Sequence, residues 1–345
     1  MSSDKVVRLG ILGAANIAPS AIISPSKLLP DLVEVVAVAA RDINKAKNYA
    51  KKYKIPKVFS SYQELIDSDE IDAIYNPLPN GLHAEWTIKS LKAGKHVLCE
   101  KPFTSNEKEA LEVKKFHDQT NLSLVEAFHY RYHPVTKRLK EIIEKDIGKM
   151  KSIDVEFSLP SYIYYLWFGD DDIRWKFDLA GGITMDAGCY CVNSLLHFGG
   201  EVEKVTKATP VMMKEEIDIS MDVDLEMKNG SKGHMYCDFK RSSILPTLLS
   251  VKVIGENGSV YCNNLLGPSF YHYISSDIKG QKKTEKVYSD GQSTYYYQLK
   301  AFCDEVLGKS KCETTPKESV EMMKVIDEIY TAAGLKIRPS NFKFE

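Results

Sequence analysis

The sequence predicts an α/β protein in two parts: a doubly wound parallel sheet first, then an α+β part with a large, mostly antiparallel sheet. Two observations carry this. Up to Glu126, short apolar runs without polar alternation are separated by helical segments. Strands of that kind are covered on both faces, as in a parallel sheet. Beyond that point the period changes. From Ile217 to Lys228 the chain alternates strictly. Ile217, Ile219, Met221, Val223, Leu225 and Met227 fall on one side. Asp218, Ser220, Asp222, Asp224, Glu226 and Lys228 fall on the other, which describes an antiparallel strand with one wet face. The expected domains are residues 1–126 and 127–345, with the C-terminal helix a candidate to pack back on the first domain.

In chain order, Val6 to Leu12 is a strand, Gly13 to Ala18 a turn, and a helical segment follows to about Leu29. Val33 to Ala39 is the second strand. Asp42 is a helix N-cap for the segment 43–53, because its carboxylate can accept from free amides of the first turn. Lys57 to Phe59 and Ile71 to Tyr75 are strands, the latter followed by the loop Asn76-Pro77-Leu78-Pro79-Asn80. A helix runs from Gly81 to Ala93 and ends at Gly94. His96-Val97-Leu98-Cys99 is a short strand with the charged tip Glu100-Lys101, where Pro102 keeps Lys101 extended. A helix over 105–119 and a strand over 122–126 complete the first part. After Pro134 and one more helix, strands are read over 150–159, 202–212, 217–228, 233–239, 248–254 and 259–262. One long helix, Gly182 to about Phe198, interrupts them, and helices over 294–307 and 317–333 close the chain. The pairs Asn229-Gly230 and Asn257-Gly258 read as hairpin turns.

Charge and cysteine content narrow the function classes. Over 345 residues the net charge is −1, so no basic surplus points to nucleic acid or an anionic membrane. The seven cysteines are odd in number and contain no CxxC, which favours reduced thiols in a cytoplasmic setting over a disulfide framework. Cys189 and Cys191 lack a second pair for a zinc site. No apolar run approaches membrane-spanning length.

Four places carry residues suited to chemistry. Gly13-Ala14-Ala15-Asn16-Ile17-Ala18 lies between a strand and a helix, where a dinucleotide's pyrophosphate binds, with Ala15 and Ala18 in place of two glycines. An ordinary βα turn is the other reading. Ala40-Arg41 ends the second strand. An acid there would favour NAD, whereas Arg41 suits the 2′-phosphate of NADP. The alternative is a surface arginine paired with Asp42 or Asp72. The loop 76–83, including Pro77, Leu78, Asn80 and His83, follows the fourth strand at the same sheet edge and is expected to touch the nicotinamide ribose or substrate. His83 reads equally as a surface histidine at a helix start. Lys101 and Glu100 stand at the end of the fifth strand, where open α/β sheets bind ligands.

In the second part, Asp186, Tyr190, Asn193, Ser194 and His197 share one helical face by their spacing. Tyr190 has the hydroxyl for acid/base work if a cation such as Lys101 lowers its pKa; a structural tyrosine bonded to Asp186 is the alternative. Gly181-Gly182 reads as a place where a ligand approaches the backbone. Tyr162, Tyr164, Tyr165, Trp167, Phe168, Arg174 and Trp175 form either a sugar-stacking wall or a satellite core.

These segments, with Glu126-Ala127-Phe128-His129-Tyr130-Arg131-Tyr132-His133-Pro134 and Asp186-Ala187-Gly188-Cys189-Tyr190, resemble the glucose-fructose oxidoreductase/inositol dehydrogenase (Gfo/Idh/MocA) family. The chain looks most like the branch of dimeric dihydrodiol dehydrogenase and NADP-dependent D-xylose 1-dehydrogenase. The resemblance implies a Rossmann domain followed by a domain with an open-faced sheet that often forms a homodimer interface. It implies that Lys101 contacts the nicotinamide ribose and substrate, and that Arg131 and His133 belong to the pocket with Trp167, Arg174, Trp175 and Asn193. The expected activity is NADP-dependent hydride transfer to or from a sugar or cyclic diol, with no metal. Tyr190 takes the hydroxyl proton, Lys101 steadies the oxyanion, and Asp186 orients substrate or Tyr190. A sugar-ketone or dicarbonyl reductase and a non-catalytic NADP-binding regulator are the rivals.

Overall fold

The computed structural model describes residues 6–167, 169, 172–241 and 245–343, with the backbone alone at Tyr164, Tyr165, Trp167 and Arg241. The chain forms two compact units. The first comprises Met1–Tyr132, Ser293–Val320 and Ser340–Glu345; the second comprises His133–Gln292 and Glu321–Pro339.

The first unit is built on six parallel strands: β1 Val7–Leu12, β2 Val33–Ala39, β3 Lys57–Phe59, β4 Ala73–Asn76, β5 His96–Cys99 and β6 Leu124–Glu126. Their order is β3-β2-β1-β4-β5-β6, so the direction of winding switches between β1 and β4. Apolar strands here serve two cores. Val7, Leu9 and Ile11 pack with Ala21, Ile22, Leu299 and Phe302. Leu12, Ala37, Ala39 and Ile74 pack on the other side with Leu65, Ile66 and Ile71. The expected boundary at Glu126 is corrected by the first of these cores. Helix Thr294–Val306 supplies Leu299, Phe302 and Cys303 to it, and burying that apolar face draws residues 293–320 into the first unit.

The second unit carries eight strands: β7 Met150–Pro160, β8 Val202–Lys214, β9 Ile217–Met227, β10 Lys232–Arg241, β11 Thr247–Gly255, β12 Gly258–Cys262, β13 Ile274–Ile278 and β14 Gln281–Glu285. The order is β14-β13-β12-β11-β7-β10-β9-β8, antiparallel throughout except for the parallel pair β7/β10. The inward set of β9 is buried as its alternation demands. The outward positions align in rows of mixed charge, one of them running Lys207, Asp224, His234, Asp154, Lys252 and Tyr261. Opposite charges side by side are the favourable arrangement on such a face.

Asp218 breaks the pattern. It belongs to the wet set, yet it is fully buried and paired with an equally buried Arg338 at 2.9 Å. The long helix expected over 182–198 forms as three pieces: a π-helical turn Thr184–Gly188, an α-helix Cys189–Ser194 and a second π-helical turn Leu195–Gly199. Two hairpin turns fall at Asn229-Gly230 and Asn257-Gly258, the first closed by the Gly230 amide on the Met227 carbonyl at 2.9 Å.

Candidate active site

In the first unit, the loops that follow β1, β2, β4, β5 and β6 leave the carboxyl edge of the sheet. Gly13 has φ of +87°, and its amide donates to the Ala39 carbonyl at 2.7 Å. A Cβ there would stand 3.3 Å from Leu78 Cδ2 and 3.8 Å from the Tyr62 hydroxyl, so backbone strain and a close neighbour both oppose a side chain. Ala14, Ala15 and Ile17 are half-buried and Asn16 is exposed. The Ala15 carbonyl accepts from the Tyr49 hydroxyl at 2.9 Å, which fixes the turn. This cradle fits a pyrophosphate.

Arg41 is exposed at the end of β2. Asp42 caps its helix, accepting from the amides of Asn44 and Lys45, and Asp72 is held by two nitrogens of Arg8 at 2.9 and 2.8 Å. The strand ends in Ala40 and Arg41, and the next residue, Asp42, is engaged by its helix, a donor set that fits a 2′-phosphate rather than two free ribose hydroxyls.

The β4 loop departs from expectation at His83. Its ring is fully buried, with Nδ1 2.7 Å from the Pro102 carbonyl and Nε2 2.7 Å from the Leu78 carbonyl. Burial lowers its pKa to about 4, against the opposing pull of the two carbonyls. Neither a ligand contact nor a surface position describes it; it ties the loop after β4 to the loop after β5. Pro77 and Asn80 are half-buried and Leu78 is buried.

At the tip of β5, Glu100 accepts from the Tyr75 hydroxyl at 2.6 Å and from the Lys101 amide at 3.3 Å. The half-buried Lys101 is thereby oriented through its own backbone. His129 stands close enough to feel the Lys101 charge; burial first and that charge second lower its pKa to about 3. Its ring lies 4.1 Å from the Tyr295 ring, and Nδ1 is 2.7 Å from the Thr294 hydroxyl. Tyr75, Thr294 and Tyr295 were not legible as neighbours of this tip, because strand register and the return of residues 293–320 bring them there.

Glu126 ends β6 behind these groups. Its Oε2 accepts from the Ser319 hydroxyl at 2.6 Å, and burial pushes the carboxyl up to about 8. The folded state therefore binds this proton more tightly than the unfolded chain. The stabilisation is complete below the unfolded carboxyl pKa and is lost as pH rises towards 8. The wild-type unfolding free energy is expected to fall between about pH 5 and 8, by at most on the order of 4 kcal/mol. Glu126→Gln, followed by urea unfolding across that window, flattens the slope; an unchanged slope would remove Glu126 as its source.

The second unit holds Tyr190 and Asn193 on the α-helical piece, 7% and 4% exposed. Asp186, in the preceding π turn, accepts from Arg174 Nε at 2.7 Å, and Arg174 also reaches Asp172 at 3.0 Å. Arg174 and Asp186 thus form one charge-compensated pair rather than two separate contacts. Because π turns bond i to i+5, the single polar stripe expected from α-helical spacing is broken: Tyr190, Asn193 and Ser194 are buried, whereas Asp186 and His197 are half-exposed.

Several expected pocket residues have local duties instead. Arg131 is 3% exposed, with its guanidinium 3.5 Å from Glu318 within the first unit. His133 is fully buried and caps helix Pro134–Lys145, its Nδ1 accepting from the Val135 amide at 3.2 Å. Trp175 is fully buried, edge-on to Phe239 at 6.2 Å, which is the satellite-core reading. The side chains of Trp167, Tyr164, Tyr165 and Phe168 lie outside the described residues. A Cβ on Gly182 would meet Asp218 Oδ1 at 2.2 Å and Arg338 Nη2 at 2.7 Å, and one on Gly181 would meet the Arg174 carbonyl at 2.4 Å. The glycine pair makes room for a buried ion pair and a neighbouring strand of backbone, not for a ligand.

Residues 7–128 match the family described as oxidoreductase family, NAD-binding Rossmann fold, and residues 136–261 match the GFO/IDH/MocA C-terminal domain. The chain is 33% identical over 326 residues to a D-xylose 1-dehydrogenase (NADP(+)) of Haloferax volcanii, covering 94% of this chain and 96% of that one. It is 30% identical over 279 residues to the trans-1,2-dihydrobenzene-1,2-diol dehydrogenase of Xenopus laevis, covering 80% and 79%. In fold it resembles the 3-ketoreductase of Actinomadura kijaniata, solved in complex with NADP and TDP-benzene: TM-score 0.84, 24% identity, 95% of this chain and 98% of that one. Two consecutive domain matches and a relative aligned over nearly the whole length agree with the six-strand and eight-strand sheets, and the chain belongs to the Gfo/Idh/MocA family of oxidoreductases.

Proposed function

We propose that the protein is an NADP-dependent oxidoreductase acting on a sugar or cyclic diol. The observation that carries it is the carboxyl edge of the first sheet. There a glycine-floored turn follows β1, an exposed Arg41 follows β2 with the adjacent Asp42 engaged as a helix cap, and a Lys101 oriented by Glu100 and Tyr75 follows β5. The D-xylose and dihydrodiol dehydrogenases among its relatives support that substrate class. When bound, NADP takes up or delivers a hydride at its nicotinamide ring. The turn floored by Gly13 receives the pyrophosphate on the amides of Ala14, Ala15, Asn16 and Ile17, and Arg41 receives the 2′-phosphate. Lys101 steadies negative charge on the substrate oxygen. Tyr190 takes the hydroxyl proton in oxidation and returns it in reduction. Asp186, held by Arg174, orients the substrate.

Purified protein given NADP⁺ with a panel of aldoses and cyclic trans-diols is expected to form NADPH with at least one of them. No NADPH formed with any member, and none consumed with the matching lactones and keto sugars, would overturn the assignment. Consumption only would favour a reductase, the direction named for the Actinomadura kijaniata relative. The same reading includes a reducing compartment such as the cytoplasm, supported by seven free, buried cysteines, and a homodimer through the polar outer face of the second sheet. Among the described residues no helix is long and apolar enough to cross a membrane.

A further inference from the structure

Tyr62 opens helix Tyr62–Asp67, which follows β3, and nothing in its local sequence marks it for ligand binding. Three segments nevertheless converge on its hydroxyl. The Gly13 turn passes within 3.8 Å of it, measured to the position a Cβ would take. Arg41, two residues beyond the Ala39 carbonyl that holds the Gly13 amide, stands close enough for its charge to act on that hydroxyl. Trp86 holds the ring edge-on, with centroids 4.9 Å apart and planes at 81°. The ring is half-buried, and the hydroxyl lies beside the turn that ends β1.

A phenol hydroxyl beside Arg41 has its own proton to give. Burial raises the Tyr62 pKa and Arg41 offsets part of that, so the proton stays on. A phosphate monoester beside Arg41 offers three acceptor oxygens, whereas a free ribose hydroxyl offers one and carries no charge. We propose that the Tyr62 hydroxyl is a second ligand for the 2′-phosphate of NADP, completing a clamp of which Arg41 is the charged half, and so a determinant of NADP over NAD. The proposal rests on the NADP reading above.

The test is binding rather than turnover. Dissociation constants of NADPH, NADH and adenosine 2′-phosphate are measured by cofactor fluorescence and calorimetry on the full-length wild type, Tyr62→Phe and Arg41→Ala. Phenylalanine keeps the ring against Trp86 and removes only the oxygen. Loss of one hydrogen bond to a charged group predicts about tenfold weaker binding of NADPH and adenosine 2′-phosphate by Tyr62→Phe, with NADH within about twofold. Arg41→Ala should lose more on the same two ligands. Equal weakening of NADPH and NADH would make Tyr62 a wall of the adenosine pocket and overturn the clamp, as would no change in either. A wild type that prefers NADH would instead overturn the NADP reading beneath it, a result separate from any behaviour of the variant.

Discussion

A Tyr190→Phe variant is expected to turn over about 10²–10⁴-fold more slowly than the wild type while binding cofactor unchanged. The ring stays, so the 7% exposed side chain keeps its packing on the helical piece Cys189–Ser194. Only the oxygen proposed to accept the substrate proton is lost. Without it the proton must pass to water during hydride transfer, and the alkoxide gains no partner at that position. Steady-state kinetics on the substrate found in the panel, with NADPH binding measured separately, give the test. The loss should appear in kcat with KM moved by little, because the interaction is made in the transition state rather than the ground state. A fall smaller than about fivefold in kcat would remove Tyr190 from the acid/base role.

The largest effect on stability is expected from Asp218→Asn. Asp218 accepts from the Thr184 amide at 2.8 Å, from the Thr184 hydroxyl at 2.5 Å and from Arg338 at 2.9 Å, all without exposure to water. Arg338 in turn donates to the Gly181 carbonyl at 2.6 Å and lies 4.0 Å over the Tyr330 ring. Neutralising Asp218 leaves a guanidinium buried without its counter-charge, and breaking such a pair costs about 3–5 kcal/mol. The double variant Asp218→Asn with Arg338→Met removes both charges, so it should cost less than the sum of the single changes. Urea unfolding of the three variants decides it. Additive losses, or a single-variant loss below about 1 kcal/mol, would show that the pair is not coupled. Because Thr184 and Gly181 flank the start of the segment carrying Asp186 and Tyr190, the Asp218→Asn protein that remains folded should also show reduced kcat.

The parts of this molecule that follow from local chemistry were readable in the chain. β1 and β2 are apolar enough to be identified as two-sided core strands, and Asp42 caps its helix as residue type and position suggest. Hairpin β13/β14 escaped because Gln281–Glu285 has no apolar face to alternate with, leaving Lys279-Gly280 as its only mark. Asp218 departs from the alternation because its partner Arg338 lies far along the chain, while the later outward positions Asp222, Asp224 and Glu226 are exposed as read. His83, Arg131, His133 and Trp175 are residue types common in binding sites. Each has a structural neighbour near at hand: a carbonyl, a carboxylate, a helix amide or a ring. Tyr62 and Tyr295 went unread for the opposite reason: their sequence surroundings are ordinary, and only tertiary approach gives them significance.

The return of residues 293–320 to the first unit has a consequence for how the protein is made and handled. During synthesis the six parallel strands emerge long before Leu299, Phe302 and Cys303, so their core stays incomplete until most of the chain has left the ribosome. A fragment cut after Tyr132 would expose the same apolar surface and is a poor choice for expression. A gene rearranged to join residues 293–320 directly behind Tyr132 would restore that surface's cover within one continuous stretch.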